Sequence, residues 1–159
     1  MTSFYDLTFA DTTDKETSLS EYRGKVVLIV NTATQCGLAG QLKELETLHQ
    51  DYKGRGLVVI GFPCDQFAGQ EPETDETVVG VCRRDFGVTF QLGKKIEVNG
   101  KNTHPIFSHL KSQTKSLLGE NIKWNFTKFL ISADGKEVQR YAPTTSPLSL
   151  RKEIESLLT

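Results

Sequence analysis

Lys25-Val-Val-Leu-Ile-Val-Asn-Thr-Ala-Thr-Gln-Cys-Gly37 is the stretch on which the reading of the chain turns. The apolar run Val26 to Val30 is too short to cross a membrane. It suits a strand buried on both faces, as in a sheet covered by helices. The run then breaks into small polar residues and delivers Cys36, and from Leu42 the period changes: Leu42, Leu45, Leu48 and Tyr52 recur at helical spacing. Cys36 is therefore expected in a strand-to-helix turn, where N–H groups of the coming helix favour a thiolate. A helix terminus contributes roughly 0.3–1 kcal/mol, less than the about 1.36 kcal/mol that moves a pKa by one unit. Starting from about 8.5, the thiol stays mostly protonated at neutral pH unless other groups help. Position alone leaves Cys36 as either inert packing or a nucleophile.

With 159 residues, the chain has the size of one domain that can bury a core without staples, and residues 1–159 are read as one domain. Charged residues make up 25% and nearly cancel, to a net charge of −1, so no basic field draws nucleic acid or a polyanionic surface. The first residues lack the basic and apolar regions of a signal peptide, and no stretch has the length of a membrane span. These features lead to the expectation of a cytoplasmic protein without stable membrane association. Three cysteines with no C-x-x-C fit neither a secreted disulfide framework nor a zinc site.

Outward from the central stretch, Phe4 to Phe9 alternates weakly and predicts a strand, completed as an N-terminal hairpin before Lys25. Leu57 to Phe62 is a second buried strand, so strand, helix and strand form a βαβ unit. Such units are parallel and right-handed almost without exception, and their sites lie at the C-terminal ends of the strands. The loop Pro63 to Glu73 therefore emerges where Cys36 lies. Thr74 or Asp75 can cap a helix carrying Val78, Val79, Cys82 and Phe86, stopped by Gly87. Val88 to Phe90 and Ile96 to Val98 read as short extended pieces, and Thr103 to Lys115 as a helix with Pro105 near its start. Lys128 to Ile131 and Val138 to Tyr141 read as an antiparallel hairpin. A closing helix has Ser146 as its cap and Pro147 at its first position.

The blocks Asn31-Thr-Ala-Thr-Gln-Cys-Gly-Leu38, Gly61-Phe-Pro-Cys-Asp-Gln-Phe-Ala-Gly-Gln-Glu-Pro72 and Lys123-Trp-Asn-Phe-Thr-Lys-Phe129 together resemble the three signature blocks of the glutathione peroxidase family. The resemblance runs from Phe4 to Leu158. It implies an α/β thioredoxin-like fold, a central mixed β-sheet flanked by helices with an N-terminal β-hairpin. It also implies that Cys36 is the peroxidatic residue and that Gln70, Trp124 and Asn125 surround it. Carboxamide and indole N–H groups can stabilise a thiolate, and the departing peroxide oxygen, without burying another charge. Attack on the O–O bond of hydrogen peroxide or an organic or lipid hydroperoxide would give a sulfenic acid and water or an alcohol. No metal or organic cofactor is required.

Cys82 resembles the resolving cysteine of the subgroup that uses thioredoxin rather than glutathione as external reductant. A cysteine at a helical apolar position is otherwise ordinary core. Resolution would form a Cys36–Cys82 disulfide and require the helix around Cys82 to unwind, because a disulfide cannot close over more than about 7 Å between Cα atoms. Cys64 is read as structural. Trp124 alone would be a core aromatic, and Asn125-Phe-Thr127 also matches the glycosylation triplet. Glu71 and Glu73 read as a solvated loop. The chain departs from the family pattern at Thr32 (commonly Val), Ala39 (Thr), Asp65 (Asn), Ala68 (Gly) and Gln91 (Pro). Asp65 could raise the Cys36 pKa by like-charge repulsion. The short stretch Leu117 to Trp124, without the insertion of family tetramers, implies a monomer with an open site. The rival readings are a peroxide sensor or redox relay to a protein partner, a glutathione-dependent peroxidase, and a silent binding module.

Overall fold

The computed structural model describes residues 3–115 and 119–158. At its start, the Ser3 hydroxyl accepts the Tyr5 N–H at 3.2 Å while the Asp6 carboxylate takes the Ser3 N–H at 2.9 Å. This reciprocal cap winds Phe4–Asp6 into a 3₁₀ turn, so the strand expected over Phe4 to Phe9 is shorter and later. It is β1, Thr8–Ala10, and pairs antiparallel with β2, Glu16–Ser18, to make the expected hairpin.

All seven residues of β3, Val26–Thr32, are buried. Helix α1, Gln41–Tyr52, returns the chain to β4, Leu57–Pro63, which pairs parallel with β3 from Val26 opposite Leu57 to Thr32 opposite Pro63. The remaining elements are α2 (Val78–Phe86), β5 (Gln91–Leu92), α3 (Pro105–Gln113), β6 (Lys128–Ile131), β7 (Val138–Tyr141) and α4 (Arg151–Leu158). The central sheet has the order β5-β4-β3-β6-β7, with β6 and β7 antiparallel to their neighbours, so it is mixed. Alternation along β3 builds both layers. Val26, Leu28 and Val30 pack with Leu42, Leu45 and Leu48 of α1 and Ile154 of α4, in a cluster that also holds Cys36 and Cys82. Val27 and Ile29 face Ile106, Phe107 and Leu110 of α3.

Local chemistry moves several predicted boundaries. The cap expected at Thr74 or Asp75 falls at Thr77, with α2 starting at Val78, and Asp75 instead accepts the Lys95 N–H at 2.8 Å. Gly87 stops it as expected, in a left-handed conformation with φ of 71°. Residues 88–90, read as a short extended piece, are not part of a strand. The Glu46 carboxylate takes the Thr89 and Phe90 N–H groups at 2.8 and 3.3 Å, and pairing with β4 starts one residue later, at Gln91. Ile96 to Val98 contributes an isolated bridge, Glu97 to Thr103. Ser146 makes no capping bond; its hydroxyl goes to Glu44, and Pro147–Leu150 is a 3₁₀ turn leading into α4. Lys128, at the start of β6, is fully buried and donates to the carbonyls of Ala142 and Pro143 at 3.2 and 2.8 Å. Burial pulls its pKa down to about 8.

Thr32, which stands where the family commonly has Val, is 1% exposed and its hydroxyl has no partner among the described residues. An unsatisfied buried hydroxyl costs about 1–3 kcal/mol. Thr32→Val is therefore expected to stabilise the fold by about 1 kcal/mol, read as a higher urea midpoint at unchanged slope. An unchanged or lower midpoint would contradict the assignment.

Candidate active site

The register that sets Thr32 beside Pro63 brings the loops after β3 and β4 out at the same edge of the sheet. In the first loop, Cys36 is 7% exposed. Its carbonyl accepts the Ala39 N–H, the Leu38 carbonyl accepts the Gln41 N–H, and α1 begins only at Gln41. The amides at the start of α1 are thus largely spent on the turns before it. Among the described residues, the hydrogen bond reaching the Cys36 sulfur comes from the Leu38 backbone N–H at 3.3 Å. The local N–H donor predicted from the strand-to-helix turn is present, but it belongs to the turn and not to the helix.

The second loop is fastened to the first. The Gln35 N–H donates to the Gln70 carbonyl at 2.9 Å, which fixes Gln70 beside the residue preceding Cys36. Glu71 is fully buried, contrary to the solvated loop expected for it. The reason is that both carboxylate oxygens have donors: Oε1 takes the Thr34 N–H at 3.2 Å and Oε2 the Thr34 hydroxyl at 2.6 Å. Burial raises the Glu71 pKa, opposed chiefly by the Thr34 hydroxyl bond. Asp65 is exposed and accepts the Glu71 N–H at 3.0 Å. The carbonyl oxygen of an Asn could make the same bond, so what the departure from Asn adds is charge. Ala68 has φ of 58°, the left-handed region that favours the glycine usual at this position.

The third loop approaches from the start of β6. Asn31, fully buried near the end of β3, accepts the Phe126 N–H at its carbonyl (2.7 Å) and the Thr127 N–H at its side chain (3.0 Å). Its amide donates to the Trp124 carbonyl at 3.2 Å. These three bonds hold Phe126 at φ of 65°, an outlier for a bulky residue and the kind of strain that collects at functional sites. The loop so held presents Asn125, whose Nδ2 donates to the Gln70 Oε1 at 3.1 Å. That bond occupies the oxygen end of the Gln70 amide and leaves its N–H end for another acceptor. The Asn125 Oδ1 is buried without a partner among the described residues. Trp124 is half-buried, stacks at 5.8 Å from Phe67, and packs against the cluster that contains Cys36.

All three cysteines are free and buried. Cys82 lies inside α2 at 1% exposure, and burial, then the charges of Glu71, Asp85 and Glu73, push its thiol up to about 12. Burial also raises Cys64. Among the described residues no group of three or more His, Cys, Asp or Glu could hold a metal ion. A cleft of about 580 Å³ bounded by Asp65, Lys95 and His104 has none of Cys36, Gln70, Trp124 or Asn125 in its wall. Sequence reasoning missed Asn31, Thr34 and Glu71. Asn31 is the polar break in an apolar run and Glu71 adjoins Gln70, and those were the available signals.

A sheet of this order with a cysteine at the end of its central strand defines a thioredoxin-like protein. A thioredoxin-family thiol:disulfide interchange protein from Chlorobium tepidum shares the fold, with a TM-score of 0.69 at 14% identity, over 96% of this chain and 93% of that one. Closer likeness is more specific. A family model described as glutathione peroxidase matches residues 4–111. Glutathione peroxidase-like peroxiredoxin 2 of Saccharomyces cerevisiae is 50% identical, over 99% of this chain and 98% of its own. The glutathione peroxidase of Lactococcus lactis is 45% identical, over 98% and 99%. The crystal structure of T. cruzi GPX1 has a TM-score of 0.81 at 34% identity, over 99% and 97%. The chain belongs to the glutathione peroxidase family and is a thiol-based peroxidase.

Asn31→Ala leaves the buried Thr127 N–H without its partner and the Trp124 carbonyl with the Thr127 hydroxyl at 3.1 Å, and should cost about 1–3 kcal/mol of stability. At temperatures where the variant is folded, the rate of Cys36 oxidation by peroxide should still fall at least about 10-fold, since misplacement by about 1 Å can cost that much and more. Denaturant titration and stopped-flow kinetics read the two effects separately.

Proposed function

We propose that Cys36 is the peroxidatic nucleophile, that Gln70, Trp124 and Asn125 supply its N–H donors, and that Cys82 resolves the oxidised form. The observation that carries this reading is the meeting of three sequence-distant loops: Gln35 bonded to Gln70, and Gln70 bonded to Asn125. The Cys36 thiolate attacks one oxygen of a hydroperoxide, the S–O bond forms as the O–O bond breaks, and the leaving alkoxide or hydroxide takes a proton. The substrates of this reading are hydrogen peroxide and organic or lipid hydroperoxides. The Cys82 thiol then displaces water from the sulfenic acid to form the Cys36–Cys82 disulfide. The dithiol of thioredoxin reduces that disulfide and returns both thiols, so the cycle needs no metal or organic cofactor.

The packed α2 disfavours attack by Cys82. It is buried in a helix, and its thiol is held protonated by burial and neighbouring carboxylates. Resolution therefore needs α2 to unwind, which exposes the sulfur and releases it from that environment. Gly87 and the loop from Pro72 to Thr77 flank the helix as the segments that could yield. We read the whole chain as one domain that works as a monomer in the cytoplasm. The expectation of a monomer rested on the stretch from Leu117 to Trp124, the first two residues of which lie outside the described residues.

The test is peroxide-dependent NADPH consumption with thioredoxin and its reductase. Cys36→Ser should abolish it. Cys82→Ser should lose the thioredoxin-driven rate by more than about 10-fold while still forming one sulfenic acid per chain. Equal glutathione-driven and thioredoxin-driven rates, unaffected by Cys82→Ser, would assign Cys82 to packing. Absence of a Cys36–Cys82 crosslink after one equivalent of peroxide, read by mass spectrometry, would do the same. One turnover ending in a mixed disulfide with a partner protein would mark a relay instead.

A further inference from the structure

Glu71 is a fully buried carboxylate that the proposed cycle does not use. Its backbone N–H is tied to Asp65 at 3.0 Å and its carbonyl to the Lys95 ammonium at 2.8 Å, so the main chain is pinned on both sides. Both side-chain oxygens are committed to Thr34, two residues before Cys36. Together with the Gln35 to Gln70 bond, this makes a clamp of two adjacent residues on two: Thr34 and Gln35 on one loop, Gln70 and Glu71 on the other. Cys36 follows directly from one jaw, and the Gln70 amide projects from the other. A charge hidden from water is an expensive way to close a loop that a backbone bond already closes. Its return is a charge-assisted hold on a hydroxyl and an amide at once.

We propose that Glu71 is a positioning residue for peroxide reduction: its carboxylate, acting through Thr34, holds the Cys36 turn against the Gln70 amide. The proposal rests on the reading of Cys36 as the nucleophile.

Protonation of Glu71 removes the charge assistance from both bonds to Thr34. Burial raises its pKa above the ordinary glutamate value, so this loss begins at a higher pH than for a surface glutamate as the solution is acidified. The charged and titratable groups that face Glu71 are Lys95 from the segment after β5, Asp65 from its own loop and Cys82 from α2, and the Glu73 backbone N–H also favours its charged form. From Thr34 to Gly40 the opposing turn carries no titratable side chain except Cys36 itself.

The experiment follows single-turnover oxidation of Cys36 by hydrogen peroxide, using fluorescence of Trp124, the only tryptophan. Trapping of the sulfenic acid with dimedone confirms the site. In the wild type, the logarithm of the rate should fall with unit slope on the acid side and steepen to about 1.5 over the range in which Glu71 protonates, as a loss of about 10-fold requires. Glu71→Gln should lower the rate at pH 7 by about 10-fold and keep unit slope throughout. Thr34→Val, which loses only the hydroxyl bond, should lower it by about 3-fold, and the double variant should be no slower than Glu71→Gln alone. A Glu71→Gln protein with the wild-type rate and the wild-type slopes overturns the proposal. If Glu71→Gln does not fold, a wild-type rate in Thr34→Val overturns it equally. No oxidation of Cys36 in the wild type would instead remove the functional reading on which the proposal stands.

Discussion

The parallel pairing of β3 with β4 is the constraint on which the rest of the molecule depends. Parallel strands cannot be joined by a tight turn, so a helix must cross between them, and both strands then end at the same edge. With Thr32 opposite Pro63, the next residues of each strand have nowhere to go but towards one another. The loop bearing Cys36 and the loop bearing Gln70 are neighbours for that reason, although the two residues lie 34 positions apart in the chain. The Trp124–Thr127 segment joins them because β6 lies on the other side of β3 and begins where β3 ends, with Val30 opposite Lys128.

The same packing gives the cysteines different electrostatic surroundings. Cys36 sits in a turn with a backbone N–H aimed at its sulfur, and the residue before it is bonded to the Gln70 carbonyl. Cys82 faces the interior beneath α2, where burial and three carboxylates keep it neutral. On the proposed cycle, a nucleophile that must react first and a thiol that must wait are distinguished by placement rather than by residue type. Cys64, buried at the end of β4 with its N–H bonded to the Thr32 carbonyl, belongs to the sheet and not to this division of labour.

Much of this was legible before any coordinates. The buried strands, α1 and the hairpin of β6 and β7 follow from periodicity, because a strand covered on both faces has no polar alternation to blur. Where expectation failed, side-chain bonds had overruled the pattern, from close by at Ser3 and Asp6 and from far away in the other cases. Glu46 takes the amides that would have extended β5, and Asp75 leaves the helix cap for Lys95. Glu71 shows the limit most plainly. A glutamate in a loop rich in proline and glycine reads as solvated, and nothing nearby reveals that Thr34, 37 positions earlier, supplies the donors that let it be buried. Asn31 is hidden in the same way, since its partners lie more than 90 residues further on.

The seat of Cys82 inside α2 also sets a clock. On the proposed cycle, a sulfenic acid formed at Cys36 has to wait while nine residues of helix loosen. During that wait a second peroxide molecule competes to carry the sulfur on to the sulfinic state, from which a thiol cannot retrieve it. The tightness of one small helix thus fixes the oxidant dose above which the protein silences itself, and a better-packed α2 would narrow that working range.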